Sequence, residues 1–251
     1  MAEGEVPDGL TRKGEGGQSR DVNALLPAAF LLAALAFPLS AQPTTAIPSD
    51  ANAKAFPQWF AASARRVEEA KGKQIDTIFL GDALTEEWLR PDGGLPLWKQ
   101  SYADRALNFG LAGDGTEHLL WRMTQIDLSP FAPPIRNVVI LIGTNDTVHP
   151  PEAIVEGIQA VQARSRLLFP QARTLLVGLP HNARADKTTQ AVNAALQTLA
   201  DGKETFYVDL PGKMTPDREG KTWQGLAPDR FHLSPEGYKM WSEAMDGMLG
   251  K

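Results

Sequence analysis

The sequence predicts an α/β domain with a five-stranded parallel sheet, and three observations carry that reading. Short apolar, partly β-branched runs recur five times along the chain, longer segments with helical spacing separate them, and turn-rich polar residues follow most of them. Strands that alternate with helices form a parallel sheet covered on both faces and joined by right-handed crossovers. With 251 residues, 43% of them hydrophobic, the chain is long enough for one such domain and too short for two large ones.

The elements follow in order. The run from Ala24 to Phe37 is nearly all apolar, follows Arg20 and precedes the small residue Ala41. It is shorter than the roughly 20 residues of a membrane span and reads as a signal peptide. Residues 1–41 are therefore expected to be a targeting segment with a preceding extension, and the protein to be secreted or periplasmic without a stable membrane span. Residues 42–50, with Pro43 and two threonines, read as a linker, and residues 51–251 as the domain. From Ser49 to Lys73 the pattern is helical, with Phe56, Phe60 and Val67 near one face and Ser49 or Asp50 available as a cap. Strands are expected at Ile75 to Leu80, Ala106 to Phe109, Val138 to Ile142, Thr174 to Leu179 and Phe206 to Leu210. Ile154, Ile158, Val161 and Leu168 mark one intervening helix. Trp241, Met245 and Met248 mark the last, which Ser234 and Pro235 open as cap and first residue. Trp59, Trp121 and Trp241 are placed like helix-face core residues.

Composition excludes several classes of function. A net charge of -5 without a Lys or Arg cluster argues against a nucleic-acid partner. Cysteine is absent, which removes thiolate catalysis and Cys-ligated zinc. No close pair of histidines or carboxylates has zinc spacing, and Gly110 to Gly113 lacks the first Gly-x-Gly of a dinucleotide fingerprint, so neither metal nor cofactor is expected.

In open α/β sheets ligands sit beyond the carboxyl ends of the strands. The residues there are Gly81-Asp82-Ala83-Leu84-Thr85-Glu86, Gly110-Leu111-Ala112-Gly113-Asp114, Gly143-Thr144-Asn145-Asp146 and Pro180-His181-Asn182. Together with Asp229-Arg230-Phe231-His232, the first three blocks resemble the SGNH/GDSL hydrolases, in particular the branch of the platelet-activating-factor acetylhydrolase catalytic subunits and bacterial acetylesterases. The resemblance runs from about Ile75 to Tyr238. It implies a flavodoxin-like three-layer α/β/α sandwich and a serine esterase acting on small acyl esters such as acylated sugars or lipids.

The resemblance also implies roles for single residues. The family's nucleophilic serine falls on Ala83, and a methyl group cannot attack a carbonyl, so the chain as written is expected to be inactive or nearly so. Ala83 keeps its backbone N–H, which with the Gly113 N–H and the Asn145 amide would form the oxyanion hole. His232 matches the general base and Asp229 the carboxylate that orients it. Thr85, two residues beyond Ala83, is not an evident substitute nucleophile. Trp88 is the candidate for a pocket wall, and His181, after the fourth strand, is a candidate substrate contact. A second reading is a non-catalytic protein that binds an ester or glycan in the same cleft.

Overall fold

The computed structural model describes residues 42–131 and 135–249. The expected signal peptide and its extension lie outside the described residues. Five strands, β1 (Thr77–Gly81), β2 (Ala106–Gly110), β3 (Asn137–Leu141), β4 (Arg173–Val177) and β5 (Thr205–Val208), form one sheet in the order β2-β1-β3-β4-β5. All neighbouring pairs are parallel. This is the flavodoxin-like order, in which the chain leaves β1 in one direction to make β2 and then returns past β1 to make β3. The expected fold class is thus realised, with each strand within about two residues of its predicted ends.

Nine helices accompany the sheet among the described residues: α1 (Ala51–Ala55), α2 (Pro57–Ala70), α3 (Ala83–Glu86), α4 (Leu95–Ser101), α5 (Thr116–Gln125), α6 (Pro151–Leu168), α7 (Asp186–Leu199), α8 (Leu210–Lys213) and α9 (Pro235–Ala244). None of the described helices is long and apolar enough to cross a membrane. Strands β1, β2 and β3 are buried along their whole length. That explains their near-continuous apolar character, since neither face meets water. The register aligns Gly81 with both Gly110 and Leu141. The three strands therefore end level, and the loops after them emerge side by side.

Three expectations need correction. The helix read across Ser49 to Lys73 is two helices, broken at Phe56 because the ring of Pro57 disfavours helical backbone in the residue before it. The segment read as a linker is packed onto the domain. Residues Thr44–Ala46 form a 3-10 turn, the buried Thr45 hydroxyl donates to the Ala153 carbonyl (2.6 Å), and the Thr116 hydroxyl donates to the Thr45 carbonyl (2.7 Å). Of the tryptophans read as core, only Trp241 is fully buried, whereas Trp59 and Trp121 are half-exposed at the surface of α2 and α5. Trp59 stacks on the exposed Phe56 ring with centroids 4.1 Å apart.

Candidate active site

The turn after β1 is made by close packing. A β-carbon on Gly81 would collide with the Thr85 hydroxyl and the Leu141 carbonyl, and one on Gly110 would collide with the backbone of Thr85 and Glu86. Glycine at both places lets α3 start directly against the ends of β1 and β2. Asp82 caps that helix, its Oδ1 accepting the Leu84 N–H at 3.0 Å, so Ala83 becomes the first residue of α3. The Thr144 hydroxyl, from the loop after β3, donates to the other carboxylate oxygen at 2.5 Å. Burial raises the Asp82 pKa to about 6, against the opposing pull of those two hydrogen bonds. Thr85 turns its hydroxyl to the Leu141 carbonyl, 3.4 Å away and buried, so it is not offered to the surface as a nucleophile.

The loop after β2 carries Gly113 at φ +80, in the left-handed region where a side chain is strained. The Asn52 amide fixes this loop by donating to the Gly113 carbonyl (2.7 Å) and to Asp114 Oδ1 (3.1 Å). Asp114 Oδ2 meets Arg122 Nε at 2.6 Å, and both side chains are buried. Arg122 also donates to the Ser63 hydroxyl and the Phe109 carbonyl, so α2, α5 and the end of β2 share one cation. The Asn145 amide donates to the Asp114 carbonyl at 2.8 Å. Asp146 accepts the Thr116 N–H at 3.0 Å, and burial, with Glu117 beside it, pushes its pKa up to about 7. The turns holding Ala83, Gly113 and Asn145 are thereby tied into one hydrogen-bonded unit at the carboxyl ends of β1, β2 and β3.

Asp229 and His232 come from the loop before α9. Asp229 Oδ1 accepts the backbone N–H groups of Phe231 and His232, each at 3.0 Å, while Oδ2 meets His232 Nδ1 at 2.5 Å. Arg230, between them, takes φ 58, the left-handed conformation that lets so short a loop bring both side chains together. Burial works to raise the Asp229 pKa, but the His232 side chain and the two backbone donors outweigh it and lower it to about 2. An imidazole bonded to a carboxylate through Nδ1 keeps Nε2 as its basic nitrogen. That nitrogen lies 4.0 Å from Oε1 of Glu87, the residue directly after α3. Behind it the Tyr238 hydroxyl donates to the Leu84 carbonyl (2.8 Å), fastening α9 to α3. A cleft of about 350 Å³, lined by Glu87, Arg90, Asp229, His232 and Leu233 among others, opens at this point.

Two candidates lie elsewhere. Trp88 is not a pocket wall: it is fully buried among Phe79, Trp98, Tyr102, Tyr238 and Trp241. Its ring falls on the sheet side of the turn, where six aromatic rings close the core beneath α4 and α9. His181 stacks on Trp223 at 4.7 Å with nearly parallel planes and bonds Asp186 through Nδ1 (2.8 Å), and it is not among the residues lining the cleft beside His232. Sequence reasoning quoted Asp82, Thr144 and Asp146 within the blocks that follow the strands but gave them no role, and it passed over Arg122 and Glu87. For Arg122 the legible signal was a charged residue set between Leu119 and Met123 on a face that the helical pattern marks as buried.

The sequence and the fold have counterparts among known proteins. Platelet-activating factor acetylhydrolase IB subunit alpha1 of Rattus norvegicus is 31% identical over 199 residues, covering 76% of this chain and 82% of the relative. A GDSL-like lipase from Bacteroides thetaiotaomicron shares the fold with a TM-score of 0.59 at 19% identity, over 80% of this chain and 100% of that one. A catalytic mutant of an acetylxylan esterase from Geobacillus stearothermophilus does so with a TM-score of 0.51 at 19% identity, over 69% and 93% of the two chains. Residues 79–240 match the GDSL-like lipase/acylhydrolase family, and the chain belongs to that family.

Proposed function

We propose that this protein is the scaffold of a serine ester hydrolase for small acyl esters, with Ala83 standing at the nucleophile position and rendering the chain inactive or nearly so. The observation that carries the reading is the 2.5 Å contact between Asp229 and His232, with His232 Nε2 4.0 Å from Glu87, the residue that follows the short helix begun by Ala83. With serine at position 83, His232 Nε2 would take the hydroxyl proton as the oxygen attacks the ester carbonyl. The negative charge on the carbonyl oxygen would be met by the backbone N–H of residue 83, the Gly113 N–H and the Asn145 amide. Asn145 has two amide protons, and its bond to the Asp114 carbonyl leaves one for this purpose. His232 would then pass its proton to the departing alcohol, and water would release the acyl group by the same steps. Acylated sugars or lipids are the proposed substrates, and the apolar run from Ala24 to Phe37 supports a secreted or periplasmic location.

Turnover of an aryl acetate by the Ala83→Ser protein tests the reading. Activity well above that of the alanine protein supports it. A folded serine variant that stays at background overturns it, and uncleaved ester bound beside Ala83 and His232 would then favour a non-catalytic binding protein.

A further inference from the structure

Asp229 holds the Nδ1 side of His232, and a second carboxylate faces the Nε2 side. Glu87 sits there. It belongs to the 3-10 turn Glu87–Leu89 that continues from α3, and its side chain is only 15% exposed. Its Oε1 is 4.0 Å from His232 Nε2 and 3.0 Å from Arg90 Nη1, and Arg90 in turn forms a two-pronged bond with Asp92. Glu87, Arg90, Asp92, Asp229 and His232 all line the same cleft. Burial raises the Glu87 pKa, while the nearness of His232 and of Arg90 lowers it. A carboxylate here stays unprotected by bulk water, so its field reaches the imidazole with less screening than at an open surface.

We propose that Glu87 is a second carboxylate serving His232, stabilising the imidazolium from the Nε2 side as Asp229 does from the Nδ1 side, with Arg90 setting how strongly it acts. The inference rests on the reading of His232 as the base. At 4.0 Å the pair is longer than a hydrogen bond, which leaves room for a hydroxyl or a leaving alcohol to share Nε2 while the charge interaction persists. Glu87 is thus a positioning residue, acting through the charge state of His232. Other charged or titratable groups surround the imidazole. Asp229 is bonded to it, and Asp82 acts on it through space from the start of α3. Tyr238, on α9, is a buried phenol whose burial and whose nearness to Glu87 keep it neutral. Phe231 meets the imidazole edge to face at 5.0 Å and carries the Arg184 guanidinium 3.9 Å from its ring centre.

The test is a proton NMR titration of His232 in the alanine protein, its signal identified by loss in His232→Gln. Glu87→Gln removes a negative charge without changing shape and is expected to shift the His232 midpoint downward. Arg90→Gln removes the competing cation and is expected to raise it, by less. Glu87→Asp should restore part of the Glu87→Gln shift. Opposite shifts from two neighbours on one turn are not produced by a loss of packing. A midpoint that does not move in Glu87→Gln, or that moves the same way in both variants, overturns the proposal. The titration needs no turnover, so an inactive Ala83→Ser protein would refute the esterase reading while the charge pairing was judged separately.

Discussion

Beneath the loop after β2, Asp114 and Arg122 are 1% and 2% exposed, and their hydrogen bonds reach α2, α5 and β2. In the loop before α9, Asp229 and His232 are 45% and 30% exposed and are held mainly by one short turn. The first region is a rigid floor whose polar groups have no water to fall back on. The second is an open flap of backbone whose charged groups stay partly solvated. A group that must accept and return a proton gains from the second kind of setting, because contact with solvent limits the desolvation penalty on its charged form. Groups that need only hold backbone N–H vectors still gain from the first kind, because buried networks fix geometry.

Four experiments would break or sharpen that contrast. The largest effect is on turnover. Ala83→Ser is expected to raise hydrolysis of an aryl acetate by up to about 10⁶-fold, and His232→Ala in that background to remove most of the gain. A serine variant whose rate does not respond to His232→Ala would mean that the open loop does not supply the base. Next is stability in the buried region. Arg122→Met leaves the Asp114 carboxylate buried without its cation and should cost about 3–5 kcal/mol in urea unfolding. A cost under about 1 kcal/mol would show that water reaches this pair after all.

The third experiment uses pH. In the unfolded chain Asp82 and Asp146 titrate near 4, whereas in the folded protein burial holds their protons up to about 6 and about 7. The folded state binds more protons across that interval, so stability falls as pH rises from about 4 to about 7. Asp229 has the opposite sign: its folded pKa of about 2 means a contribution present above about 4 and lost as pH falls towards 2. Urea midpoints at pH 5 and pH 7.5 should differ in the intact protein and differ less in Asp146→Asn. An unaltered difference would remove Asp146 from the account. The smallest effect concerns the segment ahead of α1. Thr45→Val deletes the bond to the Ala153 carbonyl and should cost about 1 kcal/mol, whereas a free linker would register nothing.

The sheet was legible because a strand buried on both faces must be apolar throughout, and Phe79, Val138 to Ile140 and Leu175 to Val177 carry that mark without reference to any partner. Residues 42–50 were misread for the complementary reason. Pro43, Thr44 and Thr45 look like a linker in isolation, and only the carbonyls of distant residues such as Ala153 give Thr45 a buried partner. Trp88 misled in the same way: nearness in sequence to Ala83 suggested a pocket wall, but the short α3 turns the chain back so that its ring joins the core.

What the sequence determined by itself was the order of strands and helices, the glycines that let α3 abut the sheet, and the short spacing that lets Asp229 and His232 share one turn. These are local consequences of hydrophobic period and allowed backbone angles, which act within a few residues. What only the tertiary structure decided was which polar groups meet across the carboxyl ends of β1, β2 and β3: Thr144 with Asp82, Asn145 with Asp114, Arg122 with both Asp114 and the end of β2, and Glu87 with His232. The residues in each of these pairs lie between 8 and 145 positions apart in the chain, with the larger separations closed by the sheet order β2-β1-β3 and the return of α9. Hydrogen bonds and charges act over a few ångströms of space, and no local pattern encodes which distant donor will arrive beside which acceptor.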